Sequence, residues 1–128
     1  MKKVLIIEDH ADMRELLSWQ VELMGFAALL AQGGREGIDK AVAEKPDLII
    51  LDIMMPGMDG REAARELRAK PELKDVKILA STALFREADL KACLDAGCNG
   101  YIVKPFTFQE LQAKLQEVAP SLSSKSPR

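Results

Sequence analysis

The chain is poor in the residues from which most catalytic sites are built. Among its 128 residues there is one histidine, one tryptophan and one tyrosine. The single histidine, His10, leaves no general base beside a plausible serine or cysteine nucleophile, which argues against Ser–His and Cys–His hydrolases. No Gly-x-x-x-x-Gly-Lys-Ser/Thr loop is present, which argues against a nucleotide triphosphatase. No apolar stretch approaches the ~20 residues that cross a bilayer. Met1-Lys2-Lys3 runs straight into a short apolar segment ending at Glu8-Asp9, so no signal peptide is expected. Lys and Arg number 18 against 20 Asp and Glu, a net charge of −2, with no basic cluster. Neither direct nucleic-acid contact nor membrane insertion is therefore expected, and the cytoplasm is the expected location. The two cysteines, Cys93 and Cys98, read as buried free thiols, too few for a metal site.

What is present is ordinary for one globular domain: 48% hydrophobic and 30% charged residues. Two periodicities alternate along it. Val4–Ile7 reads as a strand, followed by a helix with Met13, Leu16, Leu17, Gln20, Val21 and Met24 on one face, stopped by Gly25. Phe26–Leu30 is a second strand and Glu36–Glu44 a weaker helix. Leu48–Leu51 is a continuous branched run, as in a strand covered on both faces. A helix over Gly60–Ala69, a strand over Val76–Ala80, a helix over Ala88–Ala96 and a strand over Tyr101–Val103 follow. Thr107 and Glu110 form a capping box opening a last helix that buries Phe108, Leu111, Leu115 and Val118. Five strand–helix units imply an α/β fold, a five-stranded parallel sheet of order 2-1-3-4-5 with helices on both faces, the flavodoxin-like winding. The domain is expected to span residues 1–119, and residues 120–128 read as a flexible tail.

Polar residues follow four of the apolar runs: Glu8-Asp9, Asp52, Ser81-Thr82 and Lys104-Pro105. In a parallel sheet these lie at one edge, and the expected strand order makes their strands neighbours around the switch point. Three carboxylates then converge. Two unit charges ~5 Å apart repel by roughly 3 kcal/mol at an effective dielectric of ~20, so the cluster must bind protons, pair with cations or hold a metal. All-oxygen ligation with few protein ligands suits Mg²⁺. Lys104 supplies a mobile positive charge and Thr82 a hydroxyl donor, which together with a nucleophilic carboxylate fit phosphoryl transfer. Asp52 lacks the second acid two residues on that aspartate-nucleophile phosphatases need.

Asp52-Ile53-Met54-Met55-Pro56-Gly57-Met58-Asp59-Gly60 resembles the phosphoacceptor signature of response regulator receiver domains in two-component signalling. Glu8-Asp9, Thr82-Ala83 and Tyr101-Ile102-Val103-Lys104-Pro105-Phe106 resemble that family's other signatures, in order, over about residues 3–119. The resemblance implies a phosphoprotein in which Asp52 takes a phosphoryl group from a phosphohistidine on a sensor histidine kinase or phosphotransfer protein. It implies Mg²⁺ held by Asp9, Asp52 and the backbone carbonyl of Met54, with Glu8 holding a metal-bound water. It further implies Lys104 on the phosphate, a cis Lys104–Pro105 peptide, and a switch in which Thr82 swings to the phosphate and Tyr101 turns inward. The surface of helix four, strand five and helix five would then change its preference for a downstream protein target. Such a chain is not an enzyme beyond its own phosphorylation and dephosphorylation. A phosphorelay intermediate, or a receiver cut from a hybrid kinase or multidomain regulator, is the alternative. Gly33 departs from the family's usual helix start and weakens the cap of helix two.

Of the remaining residues, Asp59 reads as a helix cap and His10 as a loop residue at the rim of the cleft. Trp19 reads as partly packed with Leu23, with docking of a histidine-bearing helix as the alternative. A flavin-binding electron carrier shares the winding, but Glu8-Asp9 would repel a flavin phosphate after strand one.

Overall fold

The computed structural model describes residues 1–84 and 86–122. In chain order the elements are β1 (Lys3–Ile7), α1 (Ala11–Leu23), β2 (Ala27–Ala31), α2 (Gly34–Glu44), β3 (Leu48–Asp52), α3 (Gly60–Ala69), β4 (Lys77–Thr82), α4 (Glu87–Asp95), β5 (Gly100–Val103) and α5 (Phe108–Val118). Short 3-10 turns cover Pro71–Leu73 and Pro120–Leu122. All strand pairings are parallel and the sheet order is β2-β1-β3-β4-β5, the winding read from the sequence.

Alternation along the strands divides the core in two. Leu5, Ile7, Ile49, Leu51, Ile78 and Ala80 pack with Ile38, Ala63, Ala64, Leu67 and Cys93 on the side of α2, α3 and α4. Val4, Ile6, Leu48, Ile50, Leu79 and Ile102 pack with Leu17, Val21, Leu111 and Leu115 on the side of α1 and α5. This two-sided burial is why β3 is continuously apolar until its last residue.

The differences from the sequence reading have local causes. Leu16 is 45% exposed: it lies one residue, about 100°, from Leu17 at the centre of the buried stripe. Trp19 and Leu23 are also exposed, at 57% and 78%, so the expected partial packing does not bury either. Ser81 and Thr82 lie inside β4, because β3 itself runs on to Asp52 and pairs it with Ser81. Helix α2 begins at Gly34, with Gly33 at its N-cap and no side-chain cap. Phe108 and Val118 are only partly buried. Cys93 and Cys98 are buried free thiols, and burial pushes Cys98 up to about 12.

Helix α4 ends in a Schellman motif: Cys98 N–H donates to Cys93 O at 3.2 Å and Gly97 N–H to Leu94 O at 3.0 Å. Gly97 takes the φ of +116° that this turn requires. Arg68 then ties the turn to the body, donating to Gly97 O (2.9 Å), Leu73 O (3.1 Å) and Asn99 Oδ1 (2.6 Å). At α5 the capping box is present, with Thr107 accepting from Glu110 N–H at 3.0 Å. Of the expected tail, Pro120–Leu122 form a 3-10 turn whose Leu122 packs against the α1/α5 core; residues 123–128 lie outside the described residues.

Candidate functional site

The carboxyl ends of β1, β3 and β5 open into a cleft of about 390 Å³ lined by Glu8, Asp9, His10, Met13, Asp52, Met54, Ala83 and Lys104. Each side chain arrives for a backbone reason. Glu8 N–H extends the β1–β2 ladder by donating to Ala31 O at 3.1 Å, and Lys104 N–H extends β5 by donating to Thr82 O at 2.8 Å. Asp52 closes β3, and the next residue's N–H donates to Ser81 O at 3.0 Å. The Lys104–Pro105 peptide is cis.

One ammonium joins two buried carboxylates. Lys104 Nζ lies 3.2 Å from Glu8 Oε1 and 3.3 Å from Asp52 Oδ1, while Glu8 and Asp52 are 1% and 3% exposed. The exposed Asp9 completes a group in which one carboxylate oxygen from each acid lies within 4.8 Å of the other two. One cation against three acids leaves the cluster short of positive charge. Asp52 is pushed up to about 7, first by burial and then by the Glu8 carboxylate, with Lys104 pulling the other way. Hard oxygen donors in this number, open on one side, fit a small divalent cation that keeps part of its water shell.

The surrounding backbone steers the acids. Asp52 Oδ1 accepts from Met54 N–H at 3.2 Å, and Glu8 Oε2 from His10 N–H at 3.1 Å. Arg14, which sequence reasoning did not single out, donates to Glu8 O at 2.8 Å from the first turn of α1; the only trace of this in the sequence is a basic residue six positions after the acid. His10 is the N-cap of α1 at the rim. Asp59 caps α3, accepting from Arg61 N–H at 2.7 Å. Met54 is exposed at the cleft, whereas Met55 is buried.

Two expected site residues stand apart from this cluster. Thr82 is fully buried, and its hydroxyl accepts from Leu84 N–H at 2.9 Å. Tyr101 is half-buried on the other side of the sheet, beside Glu87, Leu90, Lys91 and Leu94 of α4, with the Lys114 ammonium 5.8 Å from its ring centre.

The family model for the response regulator receiver domain matches residues 4–116. A response regulator named MprA from Mycolicibacterium vanbaalenii is 38% identical over 114 residues, which are 89% of this chain and 48% of that protein. The alkaline phosphatase synthesis transcriptional regulatory protein PhoP of Bacillus subtilis is 36% identical over 117 residues, 91% of this chain and 48% of that protein. The chain thus spans about half the length of these curated relatives. Among solved structures, the chemotaxis protein CheY4 of Vibrio cholerae matches with a TM-score of 0.88 at 32% identity, covering 92% of this chain and 98% of that one. The receiver domain of a sensor histidine kinase from Pseudomonas aeruginosa, solved with magnesium coordinated in its active site cleft, matches with a TM-score of 0.83 at 33% identity, covering 91% and 95%. Among the described residues no helix is long and apolar enough to cross a membrane.

Proposed function

Because the chain belongs to the response regulator receiver domain family, we propose that Asp52 is its phosphoacceptor and that phosphorylation there is the signal it carries. A carboxylate oxygen of Asp52 attacks the phosphorus of a phosphohistidine on a sensor histidine kinase or phosphotransfer protein. The new O–P bond replaces the P–N bond, whose electron pair leaves on the imidazole. Glu8, Asp9, Asp52 and the Met54 carbonyl are the residues that would hold Mg²⁺, the ion named for the Pseudomonas receiver domain. When bound, the ion neutralises charge among the acids and on the incoming phosphoryl oxygens. Lys104 then exchanges a carboxylate partner for a phosphoryl oxygen.

Thr82 is the residue that reports the event. Its hydroxyl releases Leu84 N–H, turns to the phosphoryl oxygen, and leaves room for Tyr101 to move inward. Both residues belong to the same side of β4 and β5, which supports their coupling. The α4–β5–α5 surface then changes its affinity for a downstream protein, a two-state element biased by a new dianion. In this reading residues 1–119 are the receiver, residues 120–128 a tail, and the domain acts in the cytoplasm through proteins, without its own nucleic-acid or membrane contact. It catalyses nothing beyond its own phosphorylation and dephosphorylation.

The observation that carries this reading is the Lys104 ammonium shared between buried Glu8 and Asp52, with Asp9 completing the acidic group. Incubation with a radiolabelled phosphohistidine kinase tests it: label moves to the wild type and not to Asp52→Asn. Equal labelling of both would overturn it. The half-length match to curated regulators and the likeness to a kinase-borne receiver favour one further reading, a receiver acting within a longer regulator, hybrid kinase or phosphorelay. Return transfer from Asp52 to a second histidine protein distinguishes the relay from a terminal switch.

A further inference from the structure

Strand alternation decides which side chains share a face at the reactive rim. Ile6, Ile50, Leu79 and Ile102 all belong to the core beneath α1 and α5. Two residues further on in each strand direction stand Glu8, Asp52, Ser81 and Lys104, which therefore lie on that same face. They form a staggered row in the order of their strands, β1-β3-β4-β5, with Lys104 two residues beyond Ile102, the register partner of Ser81. Asp52 and Ser81 are direct partners in the register of β3 and β4.

Three members of the row are joined: Lys104 bonds both Glu8 and Asp52. To do so from beyond the end of β5, its side chain reaches across β4, which lies between β5 and β3. Ser81 is the exception. It is fully buried, and its hydroxyl has no hydrogen-bond partner among the described residues. Thr82 does not take this place, because it points to the opposite face and is bonded to Leu84 N–H.

A buried hydroxyl without a partner has given up its bonds to water and gained none, so its retention beside a reactive carboxylate calls for a cause. The cause lies in what Lys104 must do. When the ammonium turns to an incoming phosphoryl oxygen, Asp52 loses a donor. The neighbouring group able to replace it is the hydroxyl on the next strand, already in register and shielded from solvent. We propose that Ser81 is a positioning residue for phosphoryl acceptance, whose hydroxyl donates to the Asp52 carboxylate as Lys104 leaves it. This rests on the reading of Asp52 as phosphoacceptor. It assigns Ser81 a part distinct from that of Thr82: one hydroxyl steadies the attacking carboxylate, the other meets the transferred group.

The test uses the full chain, acetyl phosphate as donor and Mg²⁺, with Ser81→Ala and Ser81→Thr beside the wild type. Ser81→Ala is expected to be labelled about tenfold more slowly, the loss of one hydrogen bond to a charged group. Ser81→Thr, which keeps the hydroxyl, is expected to restore most of the rate. A second readout needs neither metal nor donor. Because the resting hydroxyl is unpaired, Ser81→Ala should melt about 2–4 °C higher than the wild type in the absence of metal. A slower but more stable variant is the signature of a group kept for function. Labelling of Ser81→Ala at the wild-type rate, equal slowing in the Ala and Thr variants, or a lower melting temperature for Ser81→Ala would each overturn the proposal. Failure of the wild type to be labelled would instead overturn the assignment of Asp52 itself.

Discussion

A Cβ placed on Gly60 would stand 2.5 Å from the carbonyl oxygen of Asp52. The first turn of α3 lies against the backbone of the strand that ends in Asp52, and Gly60 N–H donates to Ile53 O at 2.9 Å. Backbone on both sides cannot yield as a flexible side chain can. Gly60→Ala should therefore cost about 1–3 kcal/mol through overpacking and displace the end of β3 that carries Asp52. Urea denaturation measures the first effect and Mg²⁺ titration the second.

Lys104 bonds two of the three carboxylates that would hold a divalent cation. Lys104→Met removes that ammonium and leaves three acids unopposed. Mg²⁺ binding is expected to tighten about tenfold, as the loss of one nearby positive charge implies, while phosphorylation no longer alters the α4–β5–α5 surface. Calorimetry reads the affinity, and partner binding before and after phosphorylation reads the coupling.

Asp52 binds its proton more tightly in the folded chain, at about 7 against an ordinary 3.8. The folded state therefore holds more protons between these values, and stability falls as pH rises through that window. The contribution is complete below pH 3.8 and gone above about 7. Melting of metal-free protein from pH 4 to 8 should show this decline, and Asp52→Asn should flatten it. A slope unchanged in Asp52→Asn would place the titrating group elsewhere.

Arg68 satisfies three acceptors at once, and Asn99 Oδ1 accepts from both Arg68 and Ile78 N–H, at 2.6 and 2.8 Å. This joins α3, the turn after α4 and the start of β4. Arg68→Met keeps the aliphatic stem and takes the side-chain donor from Gly97 O, while Asn99 Oδ1 and Leu73 O keep Ile78 N–H and Val76 N–H, so about 1–3 kcal/mol of stability should be lost, with labelling of Asp52 retained. Denaturation and labelling of the same preparation check both halves.

How far the sequence spoke for itself follows from the periods involved. The alternation of five strand–helix units carried the sheet order, and apolar runs ending in polar residues carried the convergence of Glu8, Asp9, Asp52 and Lys104, because a parallel sheet sends equivalent strand ends to one rim. The helix start at Thr107 was legible because Thr107 and Glu110 satisfy each other locally. The placement of Ser81 and Thr82 on opposite faces of β4 was not. Both are small hydroxyl residues at the end of one strand, and a shift of one residue exchanges their faces, so only the register with Asp52 separates them. Arg14 was missed because its partner is the main chain of Glu8, which leaves no pattern in residue type. Leu16 was assigned to the core because a helix stripe read from sequence has soft edges, and the packing of α1 on the sheet decides where it ends.

The central claim is that Asp52 becomes a phosphoryl acceptor when the acidic group around it holds a divalent cation. Mass spectrometry after exposure to acetyl phosphate tests it most directly, with Mg²⁺ present or chelated. The account predicts one added phosphoryl group, confined to the peptide containing Asp52, lost on chelation and absent from Asp52→Asn. Modification that persists without the ion, or that falls on another residue, would contradict it.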